Sequence, residues 1–161
     1  ALRNVAFAAV AALIVNGDYL FAVGQNQKLA ILRQAMGDIR PRKLLVMSHD
    51  IGVPFPYMQA DGIAWASSYP SLWTLPAVVR GEVPASEKPR LIAEAAEMVA
   101  GDLNRHQPDT VLIDRRAKAP RIGQEIPYLD LFAASPSFAA AWRPYRLAHR
   151  VGDFEVWQRG D

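Results

Sequence analysis

Residues 43–76 read KLLVMSHDIGVPFPYMQADGIAWASSYPSLWTLP, and the order of residue types within them decides the fold. Lys43-Leu-Leu-Val-Met-Ser48 opens as an almost unbroken apolar run. A short run without alternation suits a parallel strand covered on both faces. Past Ser48 the composition changes: His49, Asp50, and two prolines around Phe55 predict a long loop over 49–62. Gly62-Ile-Ala-Trp-Ala66 then reads as a short second strand, and Ser71 to Val79 as a short helix cut by Pro76.

Working outward, the same helix-then-strand order recurs. Upstream, Leu29, Leu32, Met36 and Ile39 recur at helical spacing between a capping Asn26 and a terminating Pro41. Downstream, Ser86 is expected to cap a long helix with Ile92, Ala95, Ala96, Val99 and Leu103 on its apolar stripe. Pro108 ends that helix, and Thr110-Val-Leu-Ile113 is a second buried strand. Residues 114–127 form a polar, Arg-rich loop, Tyr128 to Ala134 a helical turn, and Ser135-Pro136 starts a helix reaching Trp142. Tyr145–Arg150 and Phe154–Gln158 flank Val151-Gly152-Asp153 as a hairpin. The pattern predicts a three-layer α/β fold: a mostly parallel sheet, flanking helices, and a C-terminal antiparallel hairpin at the edge.

At 161 residues the chain fits one domain. Its apolar excess sits in the first 23 residues, where Arg3 and Asp18 are the charges. Residues 5–15, VAFAAVAALIV, are 11 apolar residues in a row, too few alone for a span of about 20. Three readings compete: the end of a transmembrane helix continuing through Tyr19 to Val23, a secretory signal, or a buried helix of a soluble fold. We take residues 1–23 as the end of a transmembrane helix or an apolar lead-in, and 24–161 as a single α/β domain. The start at Ala1 fits a piece of a longer polypeptide, and Arg3 would place the near end of a span in the cytoplasm.

Several chemistries find no support. A net charge of +2 and the lack of a basic stripe argue against nucleic acid. There is no cysteine, which removes thiolate metal sites and thiol nucleophiles. His49, His106 and His149 have no ligand-like spacing, so no metal and no cofactor is expected. No G-x-G-x-x-G, P-loop or G-x-S-x-G motif is present.

The candidate residues lie where the buried strands end, the place ligands occupy in open α/β sheets. His49 could act as a general base oriented by Asp50, but adjacent residues rarely face one another in an extended chain, and the preferred reading is that Asp50 caps backbone amides of the loop. Asp114, Arg115 and Arg116 would open on the same edge, where Arg groups could hold a phosphate or carboxylate. They could also pair with Asp114 and Glu125. Phe55, Tyr57, Trp65, Tyr69 and Trp73 are five aromatics within nineteen residues. Tyr57 and Trp73 are candidates to stack on sugar rings, against the plainer reading of a mini-core under the loop.

The strand followed by Pro54-Phe-Pro56, Trp65 and Leu72-Trp-Thr-Leu-Pro76, with the closing Tyr145-Arg-Leu and Phe154-Glu-Val-Trp-Gln-Arg159, resembles the soluble C-terminal domain of bacterial multi-spanning GT-C type glycosyltransferases. The resemblance implies a domain outside the cytoplasmic membrane, facing the periplasm or extracellular side of the inner membrane. Its partner would be the membrane-embedded part of the same polypeptide. It also implies transfer of a sugar from a polyprenyl-phosphate donor to a glycan acceptor. The catalytic acid of such enzymes lies in an early loop without counterpart here, so no catalytic residue is assigned to this chain. Its expected role is to help shape the acceptor or donor groove. The rival expectations are a small soluble α/β enzyme with its site near His49 and Asp114, and a non-catalytic binding or assembly module.

Overall fold

A computed structural model describes residues 24, 26–50, 52, 54–116 and 125–160. Among them, five strands form one sheet: β1 (Lys43–Met47), β2 (Ala64–Trp65), β3 (Thr110–Asp114), β4 (Tyr145–Val151) and β5 (Phe154–Arg159). Their spatial order is β2-β1-β3-β5-β4. β1 runs parallel to both β2 and β3, as the unbroken apolar runs of β1 and β3 require of strands buried on both faces. β5 pairs antiparallel with β3 and with β4, which leaves the terminal hairpin at one edge of a mixed sheet.

Strand alternation sorts the core into two halves. Leu44, Val46, Leu112, Phe154 and Val156 point to one face. There they meet Leu32 and Met36 of α1 (residues 26–36) and Tyr57 and Met58 of α2 (Pro54–Asp61). Leu45, Met47, Val111 and Ile113 point to the other. Covering that face are α3 (Leu75–Arg80), α4 (Lys88–His106), α5 (Tyr128–Phe132) and α6 (Pro136–Trp142). The stripe expected on α4 is the buried one, with Ala95, Ala96, Val99 and Leu103 inside and Ile92 packed at its margin. The three layers are therefore helix, sheet, helix.

Local chemistry departs from expectation at four places. Residues 54–61 are a helix rather than loop, because Pro54 and Pro56 sit in its first turn, where a missing N–H removes no intrahelical bond. Pro76 likewise opens α3 instead of cutting it. α1 stops at residue 36, before Pro41: Gly37 takes a left-handed φ of +59° and its N–H caps the Arg33 carbonyl at 3.1 Å. α4 begins after Glu87, not Ser86, and has no side-chain cap bond. By contrast Ser135 caps α6 as its S-P start suggests, its Oγ accepting from the Phe138 N–H at 3.1 Å.

Two buried or half-buried acids tie loops to this frame. Asp102 of α4 accepts from the Ser68 N–H at 2.7 Å and the Ser68 hydroxyl at 3.0 Å, fixing the chain between β2 and α3. Asp109 accepts from the Arg42 N–H at 3.0 Å and holds the start of β1 beside that of β3. Among the described residues no helix is long and apolar enough to cross a membrane. The apolar run 5–15 and part of the Arg-rich loop, 117–124, lie outside the described residues.

Candidate functional site

The carboxyl ends of β1 and β3 lie side by side, with Val46 opposite Leu112 and Met47 opposite Ile113. This adjacency carries Ser48, His49 and Asp50 to the same edge as Asp114, Arg115 and Arg116. The chain leaves β1 toward β2 on one side and returns to β3 on the other, so the edge is the switch point of the sheet, where α/β folds place their sites.

Parity then divides the edge between the two faces. On the α1–α2 side, Asp114 is the hub, with its side chain fully buried. Its Oδ2 accepts from the Ser48 hydroxyl at 2.8 Å, and its two oxygens take Arg116 Nε and Nη2 at 2.8 and 2.7 Å. The same guanidinium reaches Asp50 Oδ2 at 3.5 Å and lies over the Phe154 ring, 5.4 Å from its centroid. Asp50 in turn takes the Gly52 N–H at 2.8 Å on its side chain, and its own N–H donates to Ser48 Oγ at 3.0 Å. Asp50 thus does cap backbone, while also reaching the Arg116 charge. The paired acid raises the Arg116 pKa against the opposing effect of burial.

On the other side His49 is differently placed. Both ring nitrogens are buried and neither has a hydrogen-bond partner among the described residues. Burial lowers its pKa, against the opposing pull of Asp114 and Asp50. Asp50 does not bond the ring, so the base-and-orienter arrangement is absent from this geometry. Tyr128 of α5 sits near the His49 backbone, its hydroxyl buried without a bond of ordinary geometry, and burial pushes its pKa up.

The lowered pKa of this half-buried imidazole predicts how stability changes with pH. The unfolded chain binds a proton near pH 6.5 that the folded chain resists, so stability falls as pH drops through that value. Replacing His49 by glutamine should flatten this decline, seen as a smaller loss of urea midpoint between about pH 7.5 and about pH 5.5. Equal declines in the two proteins would contradict the assignment.

Next to Tyr128, a cleft of about 260 Å³ opens between β3, β5 and the 125–130 segment. Glu155 lies at its floor, buried at 4% exposure. Strand parity sets it opposite Ile113, and it accepts from Arg115 at 2.7 Å, Arg150 at 3.0 Å and the Trp157 indole N–H at 3.0 Å. Arg115 also pairs with Glu125. Its cation is therefore engaged by two acids, the pairing the sequence offered as the alternative to ligand binding.

Of the remaining candidates, Tyr57 is 1% exposed, its ring packed between α1 and the sheet, and offers no face to a sugar. Trp73 is 71% exposed on a loop held to the edge by the Leu72 N–H, which donates to the Ser48 carbonyl at 2.7 Å. Phe55 stacks on Trp65 at 5.4 Å, the expected mini-core contact. Among the described residues no group of acids and histidines has the form of a metal site. Sequence reading passed over Glu155, Arg150 and Tyr128. The signal for Glu155 was available: in Phe154-Glu-Val-Trp157 a strand buried on both sides must turn one charge inward. No family model, no curated protein and no solved structure matches the chain.

Proposed function

We propose that the chain is a non-catalytic extracytoplasmic domain of a multi-spanning membrane glycosyltransferase, where it helps shape the groove for a glycan acceptor or a polyprenyl-phosphate sugar. The observation that carries this reading is the closed state of the acids at the switch point. Asp114 is saturated by Ser48 and Arg116, and Glu155 by Arg115, Arg150 and Trp157. A buried carboxylate with its lone pairs so occupied is a poor general base. Exposed Trp73 meanwhile offers the flat apolar face that sugar rings stack upon. The Pro-aromatic stretch behind the family resemblance is also the stretch that builds this edge. The proposal expects the coding sequence upstream of Ala1 to encode several apolar spans, and the isolated 24–161 piece to transfer no sugar from a polyprenyl-phosphate donor. An initiator methionine directly before Ala1, or turnover by the isolated piece, would overturn it.

One observation favours a second reading. The unpartnered His49 imidazole beside Asp114 and Tyr128 is what a small α/β enzyme would keep for proton transfer. That reading requires His49 to be essential for turnover.

A further inference from the structure

We propose that the cavity between α1 and α2, at the amino end of the sheet, is a binding site for a phosphate group, either the free ion or the terminal phosphate of a small ester. It lies at the opposite end from Ser48 and Asp114, so it does not depend on the membrane reading above. α1 ends at residue 36, and the chain passes through Arg40 into β1 at Lys43. α2 ends at Asp61, and the chain enters β2 at Ala64, the partner of Lys43. The two helix ends therefore stand together over the start of β1. Between them opens a cavity of about 140 Å³, lined by Arg33, Gly37, Arg40, Tyr57 and Asp61. Pockets that enclose a whole organic ligand run to about 300–1,000 Å³, so this one suits a small ion or one end of a larger molecule.

Tyr57 is the first support. The residue is 1% exposed, yet its hydroxyl has no hydrogen-bond partner among the described residues and is not sealed inside as those of Tyr69 and Tyr128 are. The charges that act on it are Asp61, Arg40 and Arg33, all of them in the cavity wall. Burial and Asp61 raise its pKa against the two arginines, so the phenol keeps its proton and can donate. The arginines are the second support. Arg33 engages both oxygens of Asp61 through Nε and Nη2, which closes that pair and leaves Arg40 as the surplus charge. Arg40 Nη1 donates to the carbonyls of Gly37 at 2.7 Å and Ile39 at 3.1 Å, while its Nε and Nη2 have no partner among the described residues. The guanidinium thus covers carbonyls at the end of α1 that would repel an anion, and keeps donors for a ligand. An arginine fork and a phenol converging on one small space match the oxygens of a phosphate. The third support is the surrounding field. Arg42, Lys43 and Arg159 gather about the single acid Asp109 at this end of the sheet, and the Arg42 side chain is 92% exposed. Such an excess of positive charge concentrates anions locally.

The test titrates the full chain with inorganic phosphate, and separately with glycerol phosphate, by calorimetry at constant ionic strength. Wild type should bind one phosphate with a dissociation constant of about 1 mM or tighter. Arg40→Gln should weaken binding about tenfold or more, and Tyr57→Phe, which keeps the buried ring, about fivefold, the usual effect of losing a hydrogen bond to a charged group. Arg42→Gln, at the same end but outside the cavity wall, should stay within about twofold of wild type. Circular dichroism confirms that each variant is folded. Equal or tighter binding of glycerol phosphate would assign the site to a terminal phosphate, and weaker binding to the free ion; both fit the proposal. No saturable binding below about 10 mM would overturn it. So would an unchanged affinity in Tyr57→Phe, or a loss in Arg42→Gln as large as in Arg40→Gln, which would show diffuse attraction and no site.

Discussion

Replacing Asp114 by alanine should cost about 3–5 kcal/mol of stability, the usual loss when one partner of a buried ion pair is deleted. The carboxylate is fully buried and is the shared acceptor of the Ser48 hydroxyl and the Arg116 fork. Removing it strands a half-buried guanidinium whose remaining acid, Asp50, lies at 3.5 Å. The damage is structural as well as electrostatic, because this cluster joins the loop after β1 to the turn after β3. Asparagine at the same position keeps an acceptor for Ser48 and should lose less. Urea unfolding at unchanged m-value reads both; a loss under about 1 kcal/mol for the alanine variant would show that the cluster is not a joint of the fold.

Phe132→Ala should cost a similar amount, about 3–5 kcal/mol, but through packing alone. Phe132 is fully buried in α5 and is the second ring of a column that starts at Tyr128. Its centroid is 6.4 Å from that of Tyr128 and 5.2 Å, edge-on, from that of Phe138. Phe138 stacks on Trp142, which meets both Tyr145 and Trp157. Through Tyr145 and Trp157 the column locks α5 and α6 to the terminal hairpin, so a cavity at Phe132 loosens three elements together. Leucine there restores most of the volume and should recover most of the loss, visible as a higher thermal midpoint than alanine. Equal midpoints for the two variants would mean that ring packing does not hold this layer.

The parts of this molecule legible in its sequence are those where one physical rule dominates. The unbroken apolar runs Leu44-Leu-Val-Met47 and Val111-Leu-Ile113 suit strands buried on both faces, and the structure pairs them as parallel neighbours. Parallel pairing puts the residues after β1 and the end of β3 on one edge, where Ser48 meets Asp114, 66 residues apart. What stayed hidden was set by competition between local rules. Proline is both a loop marker and a first-turn residue, and residues 54–61 resolved it the second way. Tyr57 and Trp73 look alike in sequence, yet helix periodicity buries one and a loop exposes the other. Arg115 could have faced solvent, a ligand or an acid. Its choice depended on Glu155 arriving from a hairpin forty residues later, a pairing no local window contains.

On the proposed reading this edge, formed where β1 and β3 end, holds the domain together and does no chemistry. Its most direct test is sugar transfer from a polyprenyl-phosphate donor, the activity that reading proposes, by the membrane-embedded polypeptide it expects to carry this domain, with His49→Gln introduced. Turnover per folded molecule within about twofold of wild type is the predicted result, a change too small to reflect a lost proton-transfer group. A fall of about a hundredfold or more in an intact, correctly folded protein would contradict it and move the catalytic centre to His49.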